Sequence, residues 1–350
     1  MKGIALKMSM LPQDKRPKTV VLQHDLGIGD LIFRLPYIRA IAEQSRGGKI
    51  VLIARPTCRA HDLLRAEPFV DAIIDYDRWR KEDMRGRHRG LLGHWRLMRE
   101  IRQRNFERIV IFSGRVRYGL LATLAGIPVR IGYGGFGFSR LQRLFLNRKP
   151  YIRPYRGPCN SNYQLGTALA LAHNFANVPL VPRLLVPQEM EQHWAAELSM
   201  LPQRRFAFAM GASDKAKDWG WQNFAQLAET ILREGHSVIC LGGKAEESLL
   251  ENLWQQVAPE LRDNLRVLTP PSVLDSAAIA RNCCCCIGND TGMVNVAAAC
   301  DIPVVLLIGN RPPLCHDPAI HSVKASSVAA ISLSHVLDAL TAIAMDPKDM

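Results

Sequence analysis

The sequence predicts an α/β protein of two Rossmann-like domains facing a central cleft. Three observations carry that prediction. Short apolar runs alternate with amphipathic segments in two separate series, the pattern of parallel sheets flanked by helices. Runs in both series end in Gly-containing turns that lead into a helix, as at 27–30, 242–243 and 288–292. The chain has 350 residues, enough for two domains of roughly 100–200 residues, each with its own core.

In the first series TVVLQ (19–23) opens as a strand, and a Gly-rich turn passes it to a helix from about Leu31 to Gln44. KIVLIA (49–54), DAIIDY (71–76) and RIVIF (108–112) are further strands, each followed by a helical or loop segment. A helix around 118–125 leads into VRIGY (129–133). From Pro150 to Pro187 the spacing changes, with further prolines at 158, 179 and 182. The boundary is therefore placed near 180. The second series runs FAFAM (206–210), a helix over 221–234, SVICLGG (237–243) and a helix from Ala245. LRVL (265–268), a helix over 273–282, CCCCIG (283–288), a helix from Thr291 and PVVLLIG (303–309) follow. A last helix covers 332–344. The division is 1–180, 181–330, and 331–350 as a C-terminal helix and tail.

Composition excludes several classes. With 48% hydrophobic and 22% charged residues the chain is too apolar for disorder, and 25 Gly and 21 Pro are too few for a fibrous protein. No apolar run approaches the ~18 residues that span a bilayer. The start, MKGIALKMSMLPQDKRPK, meets a charged break too early for a secretory signal. Nine cysteines, four of them consecutive, argue against a disulfide framework and for a reducing cytoplasm. The net charge is +13, and it is local. Between Arg78 and Arg156 stand 20 Lys/Arg and 4 Asp/Glu, so the rest of the chain holds 25 basic and 28 acidic residues. Such a segment fits nucleic acid, an anionic membrane or an acidic substrate, or is simply a solvated face.

The candidate chemistry sits at strand ends. In HDLGIGDLIFRLP, Asp30 is either a first-turn helix cap or a proton acceptor facing the cleft, with Asp25 competing for that role. GASDKAKDW brings Ser213, Lys215 and Lys217 into a small-residue loop before a helix, a plausible phosphate cradle without a Walker signature. In IGNDTGMVN, Asp290 and Thr291 cap a helix whose first turn holds Gly292, again an anion site by geometry. The four cysteines read as small hydrophobes of a buried strand. The G-x-G-x-x-G match at Gly132, Gly134 and Gly137 follows a late strand and reads as a turn. Asp75-Tyr76-Asp77 reads as a chance acidic pair, and there is neither a zinc constellation nor a G-x-S-x-G elbow.

Taken in order, three segments resemble the glycosyltransferase family that includes the ADP-heptose:lipopolysaccharide heptosyltransferases (glycosyltransferase family 9). They are Gly29-Asp30 with Leu35-Pro36, Lys217-Asp218-Trp219, and Gly242-Gly243 with Gly288 to Gly292, Ala297-Ala298 and Pro303 to Val305. Arg130 to Tyr133 and Leu144 to Lys149 are weaker matches. The family has His where Asn295 stands, and a Gly-Pro-Thr-Asp-Pro-like turn where this chain reads Gly309-Asn310-Arg311-Pro312-Pro313. The resemblance implies a GT-B fold, with the acceptor on the first domain and the nucleotide sugar on the second. It implies inverting transfer from ADP-heptose without metal or cofactor, in the cytoplasm or on the inner face of the membrane. Asp30 is then the base. Ser213, Lys217, Glu246, Asp290, Thr291, Gly292 and Asn295 bind the donor, with Glu246 toward the nucleotide ribose. The basic segment meets an anionic glycolipid carrying Kdo and lipid A groups, and Arg115, Arg117, Arg140 and Arg143 are its candidate contacts. The competing readings are a relative with another donor or acceptor, a nucleotide-sugar epimerase, and a non-catalytic nucleic-acid binder, for which no module is visible.

Overall fold

The computed structural model describes residues 14–78, 86–135, 137, 139–153 and 161–344. The N-terminal stretch read for a signal (1–13), parts of the basic segment (79–85, 136, 138, 154–160) and the last six residues of the tail lie outside the described residues.

The first series forms β1 (Thr19–Gln23), α1 (Ile28–Glu43), β2 (Ile50–Ala54), α2 (Ala60–Leu63) and β3 (Val70–Asp75). It continues with α3 (Gly90–Gln103), β4 (Arg108–Phe112), α4 (Val116–Leu124), β5 (Val129–Gly132) and α5 (Ser139–Gln142). The strands make one parallel sheet in the order β3-β2-β1-β4-β5. Every residue of β1, β2 and β4 is buried, as expected for strands covered on both faces. Alternation sorts their side chains. Val21, Leu52, Val110 and Phe112 face α1, whereas Val20, Leu22, Ile53, Ile109 and Ile111 face α3 and α4 through Leu97, Ile101, Tyr118 and Leu121.

Next come α6 (Ser161–Ala172), which packs on α1, and α7 (Gln188–Glu197), which packs on α10 (Val273–Arg281). The chain therefore crosses from one sheet's helices to the other's within 173–187. The second series is β6 (Arg205–Ala209), α8 (Trp221–Arg233), β7 (Ser237–Leu241), α9 (Glu247–Gln256), β8 (Leu265–Leu268), α10, β9 (Cys285–Asn289), α11 (Gly292–Ala299), β10 (Val304–Leu307), β11 (Ile320–Val323) and α12 (Leu333–Ala344). Its six parallel strands run β11-β10-β9-β6-β7-β8. The closing helix α12 packs on α8, β10 and β11, burying Val336 and Ile343 in the same cluster as Phe208, Phe224 and Leu307. It thus packs into this second layer.

Two details differ from expectation. The cysteine run enters its strand only at Cys285, because Cys283 N–H still bonds back to Ala280 C=O at 2.9 Å and prolongs the turn after α10. Seven described cysteines are free thiols, all buried except Cys284, while Cys315 is disulfide-bonded, a bond that the reading of a reducing cytoplasm did not anticipate. No helix among the described residues is long and apolar enough to cross a membrane.

In both sheets the strand order reverses beside the first strand of its series, between β1 and β4 and between β6 and β9. Ligands of open parallel sheets bind outside the carboxyl ends of strands at such points. Here α1 and α11, which follow β1 and β9, pack against each other and bring the two switch points together.

Candidate functional site

The first wall of the cleft begins where β1 runs out. Gly27 takes the N-cap position of α1 with extended dihedrals, and Asp30 occupies the third helical position. One Asp30 carboxylate oxygen, Oδ2, accepts the Gly27 N–H at 3.2 Å, so Asp30 does cap the helix, and it also lines the cleft. Asp25 has a different environment. Its carboxylate forms an ion pair with Arg34, which is buried, and lies 3.3 Å from His24 Nδ1. Burial works to raise the Asp25 pKa, but the Arg34 and His24 charges override it and hold the group at about 2. A carboxylate so held is a poor proton acceptor at neutral pH.

The second wall is assembled around Asn289, buried at the end of β9. Its Nδ2 donates to Met210 C=O at 2.7 Å and its Oδ1 accepts the Trp219 N–H at 3.1 Å. The Trp219 ring is buried against Phe224, and its Nε1 donates to Ile331 C=O at 2.7 Å. These bonds fasten the loop carrying Ser213 and Lys217 across the ends of β6 and β9. The Lys217 Nζ then lies 2.8 Å from Asp290 Oδ2, which is also 2.8 Å from Arg311 Nη1. Glu246 folds over the turn after β7, accepting Gly243 N–H at 2.8 Å, with Gly211 and Gly242 leaving it room.

The walls meet on small residues. A Cβ on Gly292 would stand 2.9 Å from Ile28 Cβ, and one on Gly29 would stand 2.9 Å from Asn295 Nδ2. Asn295 is buried, donates to Thr291 C=O at 2.8 Å, and leaves its own Oδ1 without a partner. Between the walls lies a cleft of about 920 Å³, within the range of small-ligand sites. Asp30, Ser213, Lys217, Glu246, Asp290, Thr291, Gly292 and Asn295 all line it. So do Arg59 and Lys244, which sequence reading missed. Arg59 stands in the loop after β2, and that position at a strand's carboxyl end was the available signal. The cleft therefore gathers three cations and the N-terminus of an eight-residue helix around a space that also holds carboxylates. This combination suits an anion with attached hydroxyls.

The four arginines expected to contact an acceptor do not line the cleft. Arg115 is exposed at the N-cap of α4, and Arg117 stacks on Tyr118 at 5.0 Å. Arg140 is exposed on α5, and Arg143 stacks on Tyr151 at 5.0 Å while donating to Gly134 C=O. Asp75 of the acidic triplet pairs with His61 at 3.2 Å, and no metal-holding cluster occurs among the described residues.

The model of glycosyltransferase family 9 (heptosyltransferase) matches residues 94–340. Lipopolysaccharide heptosyltransferase 2 of Escherichia coli K12 is 24% identical over 303 residues, covering 85% of this chain and 84% of that protein. Among solved structures, E. coli ADP-heptose lipopolysaccharide heptosyltransferase II superposes with a TM-score of 0.73 at 21% identity, over 95% of this chain and 99% of that one. E. coli heptosyltransferase WaaC with ADP-2-deoxy-2-fluoro heptose gives 0.71 at 16% identity, over 93% and 99%. The fold is GT-B.

Proposed function

The chain belongs to glycosyltransferase family 9, and from that membership we propose that it transfers heptose from ADP-heptose to the lipopolysaccharide core. The acceptor is a Kdo/lipid A or inner-core heptose unit, and the anomeric carbon inverts. The observation that carries this reading is the convergence of Asp30, Lys217 and the α11 N-terminus on one cleft. The names of the relatives support the donor and acceptor class.

The proposed chemistry follows from the positions. Asp30 takes the proton of the acceptor hydroxyl as it attacks the anomeric carbon. The transition state is oxocarbenium-like, and the departing diphosphate gains charge. Lys217, the Ser213 hydroxyl and the amides at Thr291 and Gly292 stabilise that charge, supplying what a divalent cation supplies elsewhere. Asp290 turns from Lys217 toward donor hydroxyls, Glu246 holds the ribose, and Asn295 lies beside the sugar. In this reading residues 1–180 bind the acceptor and 181–330 the donor, at the cytoplasmic face of the inner membrane, with no nucleic-acid partner. Arg115, Arg117, Arg140 and Arg143 contact anionic groups of the acceptor remote from the reacting hydroxyl.

The test pairs one substitution with a donor screen. Asp30→Asn should lower kcat by about 10²–10⁴-fold, the usual contribution of a general base, and leave ADP-heptose binding intact in a thermal-shift assay. Unchanged turnover removes Asp30 from the role. A preference for a GDP- or UDP-sugar overturns the donor.

A further inference from the structure

We propose that the outward faces of α3, α4 and α5 dock this protein on an anionic phospholipid bilayer. Leu91, Leu92 and Trp95 enter the boundary between headgroups and acyl chains.

The argument starts with α3. Its inner face is spent on the first core, through Leu97 and Ile101. Its outer face begins with Leu91, Leu92 and Trp95, which are 92%, 74% and 52% exposed. Three large apolar side chains within the first two turns form a patch that a soluble protein covers when it meets an apolar partner. Along the same face, one and two turns later, come Arg96, Arg99 and Arg102, all exposed. The Arg99 guanidinium stacks on the Trp95 ring at 5.5 Å. The neighbouring α4 adds exposed Leu120 and Leu124, and α5 with the turn after it adds exposed Leu141 and Leu144.

Charge selects the occupant. The segment from Arg78 to Arg156 carries 20 basic and 4 acidic residues, and α3, α4 and α5 all come from it. Nucleic acid would match the charge but leave the leucines in water. A protein partner would have to be both acidic and apolar over three helices. An anionic bilayer is a continuous negative plane above an apolar layer, so it satisfies both features at once. Interfacial helices combine a basic face with Trp and Leu in this way, Trp prefers the headgroup level, and arginines are drawn to anionic headgroups.

Position gives the docking a purpose. The Tyr76 hydroxyl, just beyond β3, lies 3.4 Å from His94 Nε2, so the first turns of α3 sit at the carboxyl edge of the sheet. Asp30 follows β1 at that same edge. Docking there turns the acceptor-side wall of the cleft toward a surface in which a glycolipid is anchored. The inference deepens the glycolipid reading, and its test needs neither donor nor acceptor.

The experiment is flotation of the full chain with vesicles of phosphatidylethanolamine and phosphatidylglycerol, against vesicles of phosphatidylcholine. The wild type should float with the anionic vesicles only. Combined Leu91→Ser, Leu92→Ser and Trp95→Ser should cut the partition coefficient by at least about tenfold with unchanged circular dichroism, the three side chains being exposed. Brominated lipid should quench tryptophan fluorescence in the wild type, and Trp95→Phe should remove most of that quenching. Equal flotation of the triple variant, or quenching insensitive to Trp95→Phe, overturns the proposal. So does single-stranded RNA bound alike by wild type and triple variant in the absence of flotation. Loss of transfer in Asp30→Asn with flotation intact keeps the two readings separable.

Discussion

Asp25 and Asp30 leave the same turn after β1 into opposite surroundings. The Asp30 carboxylate lines the cleft, while Asp25 is bound to Arg34, whose guanidinium is buried over the Phe112 ring at 5.6 Å. Replacing Arg34 with Met should leave the partly buried Asp25 carboxylate without its cation, read as a lower midpoint in urea unfolding. Asp25→Asn should likewise lower stability, whereas Asp30→Asn lowers kcat, and both should spare donor affinity. Because the folded pKa of Asp25 lies below its usual 3.8, the pair stabilises fully above pH 3.8 and fades as pH falls toward 2. Spacing alone left the two aspartates in competition, and only the family resemblance chose Asp30. What separates them is the burial of Arg34, which no spacing rule reports. The ion pairs on Asp290 were half legible for a similar reason. Lys217 and Asp290 were each visible in their motifs, but their contact, and the arrival of Arg311 from the Gly309–Pro313 turn, exist only after the second sheet has closed.

Among elements, α1 and α11 matter most, because their N-terminal turns touch across the cleft on Gly29 and Gly292. Gly292→Ala puts a methyl 2.9 Å from Ile28 Cβ, a β-branched side chain that cannot swing aside. Overpacking of this kind costs about 1–3 kcal/mol. Calorimetry should show a lower Tm, and donor KM should rise as α11 shifts relative to α1. The strands and the helices behind Gly turns were legible because their apolar runs are short and bounded. Others were not. The α6 segment, SNYQLGTALALA, is apolar nearly all round and presents no stripe, since Gly166 lets it lie close to Arg34 and Tyr37 on α1. The opposite problem hid α7, which begins after Pro187, buries none of its residues fully and reads as linker. The edge strand β11 has two partly or fully exposed polar residues in its four, so it lacks the apolar run that marked the others.

For the whole molecule, His316 reports on how the two sheets hold together. It follows β10 in the second series, yet its ring packs on Phe33 of α1 at 4.5 Å and Tyr163 of α6 at 5.6 Å. Burial pushes its pKa down to about 4, and neither ring nitrogen has a hydrogen-bond partner. The folded state therefore keeps the ring neutral where an unfolded chain protonates it. Its contribution is complete above pH 6.5 and is lost progressively toward pH 4, about 3 kcal/mol in all. Wild-type stability should fall over that window, and His316→Phe should flatten the slope in denaturant titrations at stepped pH. A basic segment in the first half and two series of strands were readable from charge and periodicity, but this contact between the two sheets' helices was not, because a lone histidine in a loop carries no pattern.

The buried thiols have a consequence of another kind. Cys58 lies against the first sheet, and Cys240, Cys283, Cys285, Cys286 and Cys300 lie within the second half, all buried, while Cys284 is exposed. Burial raises the pKa of Cys58, Cys286 and Cys300 to about 12, and pushes Cys240, Cys283 and Cys285 upward as well. A thiol reagent added to the folded protein thus meets Cys284 first among these seven. Each later label records a local opening whose location is known from the residue it marks. The chain carries its own chemical clock for the order in which its two halves come apart.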